Sequence, residues 1–354
     1  MKQLSPIENS LSQWLQSSEQ FAEGNSCHVR ALSGDAGFRQ YFSLPNQPQW
    51  LAVYAPPEHI DSQIFIDLSV YLRNEGIHAP RVLQYDLKRG FLLIENLGDT
   101  LFLSALTKDN VESLYGGALL TLLRLQQAPP QPPLIKPYNE AELRREMDLF
   151  PHWFVERLLG HALTRNEQEL IQDLFKKSVQ NAAAQPQVFV HRDYHSRNLI
   201  YREVGPPGVI DFQDAVWGPI TYDLVSLLKD CYVRWPRARV NRWVRAYASM
   251  ITSAGLVKSV SDNQFQQWFD WMGLQRHIKV LGIFARLFLR DNKSAYLHDL
   301  PLVIRYVMET FNDYREFDEH KSWFENTIIP LCQQQPWYHN YRKAGYSPDK
   351  SHLK

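Results

Sequence analysis

Residues 188 to 214 constrain this chain more than any other stretch. Two short apolar runs, Val188-Phe189-Val190 and Val209-Ile210-Asp211-Phe212, interrupt a region that otherwise reads as helical. Runs of this length bounded by polar turns read as strands. Close behind the first comes the densest polar cluster of the sequence, His191-Arg192-Asp193-Tyr194-His195-Ser196-Arg197-Asn198. A fold that contains this stretch must bring sheet into a helical body and gather several charged groups at one turn. By itself such a loop is either a turn-and-capping device or a site.

The rest of the pattern supplies the frame. A helix is expected over residues 5 to 24, then short strands at Cys27 to Leu32, Tyr41 to Leu44 and Trp50 to Tyr54. Ile64, Phe65, Leu68 and Leu72 repeat at helical spacing up to Gly76, and two more strands follow at Arg81 to Tyr85 and Phe91 to Glu95. After Leu97 the pattern is helical: one apolar face runs from Leu114 to Leu125, and further helices are expected at 140–160, 165–182, 222–233, 237–254, 262–290, 300–314 and 317–333. Pro129 to Pro137 reads as a stiff connector. The expectation is an α+β chain with a small β-rich lobe over residues 1–97 and a larger, mainly helical lobe over 98–354.

Composition removes several function classes. Lys plus Arg number 38 and Asp plus Glu number 38, so the chain has no net charge and lacks the basic footprint of a nucleic-acid binder. Its three cysteines, Cys27, Cys231 and Cys332, form no C-x-x-C, which excludes a disulfide scaffold or zinc ribbon and fits a reduced cytoplasm. The opening MKQLSPIENS has no apolar core of the kind a signal peptide needs, and no apolar run approaches the ~20 residues that span a bilayer. A cytoplasmic protein with no membrane contact and no obligate protein partner is expected.

Strand, polar loop, strand and second acid suit phosphoryl transfer, which needs positioning and charge neutralisation more than covalent chemistry. Asp193 can take the proton of an acceptor hydroxyl. Asn198 and Asp211 offer the oxygen ligands that Mg²⁺ on a triphosphate prefers. The pattern H-R-D-x₄-N, followed 13 residues later by D-F, matches the protein-kinase catalytic loop and metal-binding motif. With Ile210-Asp211-Phe212 and then Gly218-Pro219-Ile220-Thr221-Tyr222-Asp223, the stretch resembles the aminoglycoside phosphotransferase and choline kinase superfamily. That resemblance implies a protein-kinase-like two-lobe fold, ATP between the lobes, and Asp223 bracing the catalytic loop. Gln213 stands where a protein kinase has the Gly of D-F-G, and no A-P-E occurs, which argues against a protein substrate.

Further segments narrow the resemblance. Gly34 to Phe42, Tyr54-Ala55-Pro56-Pro57-Glu58, His191 to Asn198, Gln275 to Phe284 and Arg290 to Lys293 together resemble the bacterial anomeric kinases of N-acetylmuramate and N-acetylglucosamine in cell-wall recycling. An amino-sugar acceptor is thereby implied. The alternatives left open are a kinase of aminoglycosides or choline and a non-catalytic kinase-like binding protein.

Nucleotide and substrate residues follow from position. Gly34 and Gly37, between two strand-like runs, let backbone N–H groups approach phosphates. Trp50-Leu51-Ala52-Val53-Tyr54 resembles the strand V-A-I-K with Tyr54 in place of the phosphate-binding Lys. Arg39 is the preferred substitute cation. Glu95 and Leu97 stand where a hinge between lobes offers backbone groups to adenine. For the acceptor, Gln275 and Lys279 share a helix face with Arg276 beside them, and Asp214 is a further candidate for sugar hydroxyls. His191 and His195 are assigned to hydrogen-bonded support of the loop, since no second ligand set at zinc spacing accompanies them.

Overall fold

The computed structural model describes residues 5–17, 28–32 and 38–345. In chain order these form α1 (Pro6–Gln16), β1 (Arg30–Ala31), β2 (Gln40–Ser43), β3 (Trp50–Tyr54), α2 (Ser62–Asn74), β4 (Val82–Asp86) and β5 (Phe91–Glu95). Next come α3 (Phe102–Ala105), α4 (Val111–Gln127), β6 (Lys136–Pro137), α5 (Glu140–Met147), a π-helical stretch (Phe150–Leu158), α6 (Arg165–Ala183) and β7 (Gln187–Val190). Then follow β8 (Leu199–Ile200), β9 (Gly208–Val209), β10 (Val216–Pro219), α7 (Tyr222–Leu228), α8 (Arg237–Ser253), α9 (Asp262–Asp291), α10 (Leu300–Asp313), α11 (Asp318–Trp323) and α12 (Ile329–Gln333). The chain divides into two compact units, Met1–Leu101 with Asn198–Gln213, and Phe102–Arg197 with Asp214–Lys354.

The first unit is built on an antiparallel sheet of order β1-β2-β3-β5-β4. β5 is buried on both faces from Phe91 to Ile94, as the continuous run Phe-Leu-Leu-Ile requires. On one face Phe91 and Leu93 join Leu11, Trp14 and Leu15 of α1 in a closed cluster. α1 is nucleated by a reciprocal box in which Ser5 accepts from the Glu8 N–H and Glu8 accepts from the Ser5 N–H. The turn between β4 and β5 demands glycine: Gly90 has φ of +69°, and a Cβ there would sit 2.1 Å from the Ala55 carbonyl oxygen. In the same unit, β8 and β9 pair as a small hairpin.

The second unit is helical around α9. Its three-stranded sheet runs β6-β10-β7, with β10 antiparallel to β7 and parallel to β6. Several expected elements change shape for local reasons. The expected connector Pro129 to Pro137 ends in β6. The helix expected over 140–160 divides because Pro151 has no N–H to continue the ladder from α5, and the chain resumes as the π-helical stretch. The helix expected over 222–233 stops at Leu228, and two residues on Asp230 accepts from Ser196 and from the Tyr232 N–H instead of facing solvent. The second β-like run is strand only at Gly208–Val209, because Asp211 takes φ of +65°. The expected helix beyond residue 17 and the strand start at Cys27 lie outside the described residues. Among the described residues no helix is long and apolar enough to cross a membrane.

Candidate active site

The loop after β7 is held from below by two buried acids. Asp223, in the first turn of α7 and fully buried, accepts from the His191 N–H at 2.6 Å and from the Arg192 N–H at 3.0 Å. Burial pushes its carboxyl up to about 7, against the pull of those two N–H groups and of Arg276. Asp230 receives both the Ser196 N–H at 3.0 Å and the Ser196 hydroxyl at 2.5 Å. Between these anchors Arg192 adopts φ of +76°, a conformation costly for a non-glycine residue and held here by its surroundings. The His191 Nδ1 accepts from the Asp193 N–H at 3.3 Å, and the His195 N–H donates to the Asp193 carbonyl at 3.0 Å. Both histidines therefore brace the turn, and burial lowers the pKa of His195.

The turn presents Asp193, whose side chain is 46% exposed. Removal from water opposes its ionisation, but Arg276 and Lys279, with His195 and His191 beyond them, hold the carboxyl well below the usual carboxylate range. Arg276 Nη2 lies 3.4 Å from Asp193 Oδ1, while its Nη1 donates to the Arg192 carbonyl at 2.7 Å. Lys279 reaches Glu146 Oε2 at 3.1 Å and the Tyr222 hydroxyl at 3.0 Å. Glu146 also receives Arg192 and the Tyr138 hydroxyl. Burial works against the Glu146 carboxylate, yet Lys279 and Arg192 keep its pKa below the usual value. The result is a buried, internally paired charge network under one partly open carboxylate.

The first unit carries a second set. Asn198 Nδ2 donates to Asp211 Oδ2 at 3.3 Å, and Gln213 Nε2 donates to Asp211 Oδ1 at 2.8 Å. Arg39 extends the chain, with Nη1 at 3.3 Å from Gln213 Oε1 and its guanidinium 4.9 Å from the Phe65 ring centroid. Phe65 in turn stacks on Phe212 at 5.0 Å, which fixes the backbone on the far side of Asp211. Asp211 is exposed and, like Arg192, sits in the left-handed region.

The model of the APH phosphotransferase enzyme family matches residues 28–255. The chain belongs to that family. It is 40% identical over 82% of its length to an N-acetylmuramate/N-acetylglucosamine kinase of Pseudomonas putida, covering 86% of that protein. The kinase of the same description from Pseudomonas aeruginosa is 42% identical over 78% of this chain and 81% of its own length. A crystal structure of a choline kinase from Streptococcus pneumoniae superposes with a TM-score of 0.61 at 13% identity, over 86% of this chain and 100% of that one. The fold of this phosphotransferase is thus α+β and protein-kinase-like, and the chain is an enzyme that acts on a hydroxyl acceptor.

The remaining residues singled out in the sequence fall as follows. Glu95 ends β5 with its side chain bonded to Arg73 at 2.9 Å and its N–H donating to the Arg81 carbonyl at 2.8 Å. The Leu97 N–H has no acceptor among the described residues. Asp214 is exposed, and its carbonyl accepts from Arg192 at 3.3 Å. Gln275 is fully buried in α9 of the phosphotransferase, with neither amide atom hydrogen-bonded among the described residues. Gly34 and Gly37 lie outside the described residues. Sequence reasoning missed Glu146, Tyr138, Tyr222, Asp230 and Gln213. Asp230 left a signal, an acid set beside Lys229 in the otherwise apolar run from Leu227 to Val233. Glu146 left none, since an acid in Glu-Ala-Glu-Leu-Arg-Arg-Glu-Met looks like any solvated helix face.

Proposed function

We propose that this phosphotransferase moves the γ-phosphoryl group of ATP to the anomeric hydroxyl of N-acetylmuramate or N-acetylglucosamine, giving the sugar 1-phosphate, in the cytoplasm. Asp193 carries the reading: a partly open carboxylate kept ionised by buried cations is what an incoming hydroxyl needs. It accepts the hydroxyl's hydrogen bond, aims the oxygen lone pair, and takes the proton as the oxygen–phosphorus bond forms and the bond to ADP breaks. So low a proton affinity suits late transfer, and an anomeric hydroxyl is more acidic than an ordinary alcohol.

Asn198 and Asp211 are the residues assigned to Mg²⁺. Their side chains lie side by side in a pair held by Gln213, and an amide oxygen with a carboxylate suits a hard cation that keeps its other positions for phosphate oxygens and water. When bound, the ion neutralises charge on the β- and γ-phosphates. Arg39, tied to Asp211 through Gln213, supplies the positive charge that Tyr54 lacks. Gly34 and Gly37 are assigned to the phosphates, and the Leu97 N–H and Glu95 backbone to adenine. Asp214 and Gln275 are offered to the acceptor, while Arg276 and Lys279 support the loop from within.

ADP release measured with N-acetylmuramate, N-acetylglucosamine, choline and an aminoglycoside tests the acceptor. Phosphorus NMR of the product should show phosphate on C1, and a signal from C6 would remove the anomeric assignment. Asp193→Asn should cut kcat by a factor on the order of 10³ with Mg-ATP binding retained. Near-normal turnover in that variant would remove Asp193 from the reaction.

A further inference from the structure

A half-buried aromatic shelf adjoins the catalytic loop, and the mechanism above makes no use of it. Arg197 lays its guanidinium over the ring of Tyr232, with Cζ 3.6 Å from the centroid. Tyr232 meets the ring of His195 edge-on at 5.4 Å and stacks with Phe284 at 6.4 Å, and Phe284 packs on Tyr296 at 5.1 Å. Asp299 closes the short 3₁₀ turn Ser294–Asp299 that carries Tyr296. The shelf is tied to Asp193 through His195, whose N–H holds the Asp193 carbonyl.

Two charged groups on this shelf are half-buried and still open to solvent. Neither the Arg197 guanidinium nor the Asp299 carboxylate takes a hydrogen bond or ion pair among the described residues. Burial pushes the Asp299 carboxyl up to about 6, against the pull of Arg197. A guanidinium stacked on a ring is already held flat with its N–H edges outward, and little freedom remains to lose when a carboxylate docks on it. Apolar ring faces with a few convergent polar groups are the make-up of a small-molecule site.

We infer that Tyr232 and Tyr296, with the buried Phe284 packed between them, form the acceptor shelf, with Asp299 accepting from sugar hydroxyls and Arg197 pairing with an acid on the sugar. The assignment rests on the amino-sugar reading given above and deepens it. The two candidate sugars differ at one place: N-acetylmuramate carries a lactyl ether ending in a carboxylate, where N-acetylglucosamine has a hydroxyl. Arg197 is therefore a residue that sets preference between them.

Steady-state kinetics with both sugars test this on the native chain and on Arg197→Gln, Arg197→Lys and Asp299→Asn. In Arg197→Gln, kcat/KM for N-acetylmuramate should fall at least about tenfold more than for N-acetylglucosamine, chiefly through KM, the loss expected for one charge-assisted contact. Arg197→Lys should restore part of that ratio, since it keeps the charge but not the fork. Asp299→Asn should raise KM for both sugars by similar factors. Equal losses on both sugars in Arg197→Gln, or unchanged KM values in Asp299→Asn, would overturn the assignment while leaving the amino-sugar reading intact. A native protein that phosphorylates neither sugar would overturn that reading and this assignment together.

Discussion

Arg276 shows how a buried cation can govern an exposed acid. Its side chain is 4% exposed, yet it grips the Arg192 carbonyl and reaches Asp193 with the same guanidinium. It thereby acts as a positioning residue twice over, fixing the strained turn and lowering the proton affinity of the carboxylate. The sign of the pH effect follows. If Asp193 acts as the ionised base proposed for it, activity is lost as pH falls through its pKa, and in the native chain that limb lies well below the usual carboxylate range. Removing the charge in Arg276→Met leaves desolvation and Lys279 to contend, and the acid limb of kcat should move up by about one to three pH units. A kcat profile carried down to about pH 3 reads this, the variant losing activity where the native chain is still on its plateau. A lower plateau with an unmoved limb would reduce Arg276 to packing alone.

At the level of elements, α9 does most of the placing, and its glycines show how. Gly282 faces the start of the π-helical stretch, where a Cβ would lie 2.3 Å from the Leu149 carbonyl carbon. Gly282→Ala must push the two helices apart, at a cost of about 1–3 kcal/mol, and should lower the urea midpoint. The contrast lies in α4: a Cβ on Gly117 meets nothing within 4 Å, so Gly117→Ala should raise stability by about 0.5–1 kcal/mol. Sequence pattern reads such elements unevenly. Strands β2 to β5 were legible because apolar runs of four or five residues alternate with turn residues, and α2 and α4 because their apolar spacing is helical. The two-residue strands β6 and β8 were not, since nothing in so short a segment sets a period, and the run read at Val209 to Phe212 is strand only at its start, in β9. The break after α5 hinged on Pro151, whose effect inside an otherwise helical pattern depends on which carbonyl it leaves unpaired.

Over the whole molecule the charges balance at 38 against 38, and that neutrality hides where they lie. Glu146, Arg276 and Lys279 are all at least nine-tenths buried, drawn from α5 and α9 and separated by about 130 positions in the chain. No local signal announces such a network. Asp193, Asn198 and Asp211 were legible because they fall within one contiguous stretch whose chemistry can be read from its order. Each unit keeps part of that stretch: the loop with Asp193 belongs to the helical unit, and Asn198 with Asp211 to the sheet-bearing one. A ligand held by Asn198 and Asp211 stabilises the native chain by mass action, through RT ln(1 + [L]/Kd). Mg-ATP at a hundredfold excess over its Kd should therefore add about 2.7 kcal/mol, seen as a rise in Tm that disappears when a chelator removes the metal. Asp211→Ala removes the carboxylate but not the fold, since that side chain is exposed and, among the described residues, bonded to the amides of Asn198 and Gln213 alone. Its Tm should be close to native without ligand and should no longer respond to Mg-ATP. A variant that still gained the full increment would place the metal on other residues, whereas a native chain with no increment at all would deny this pair any part in holding the nucleotide.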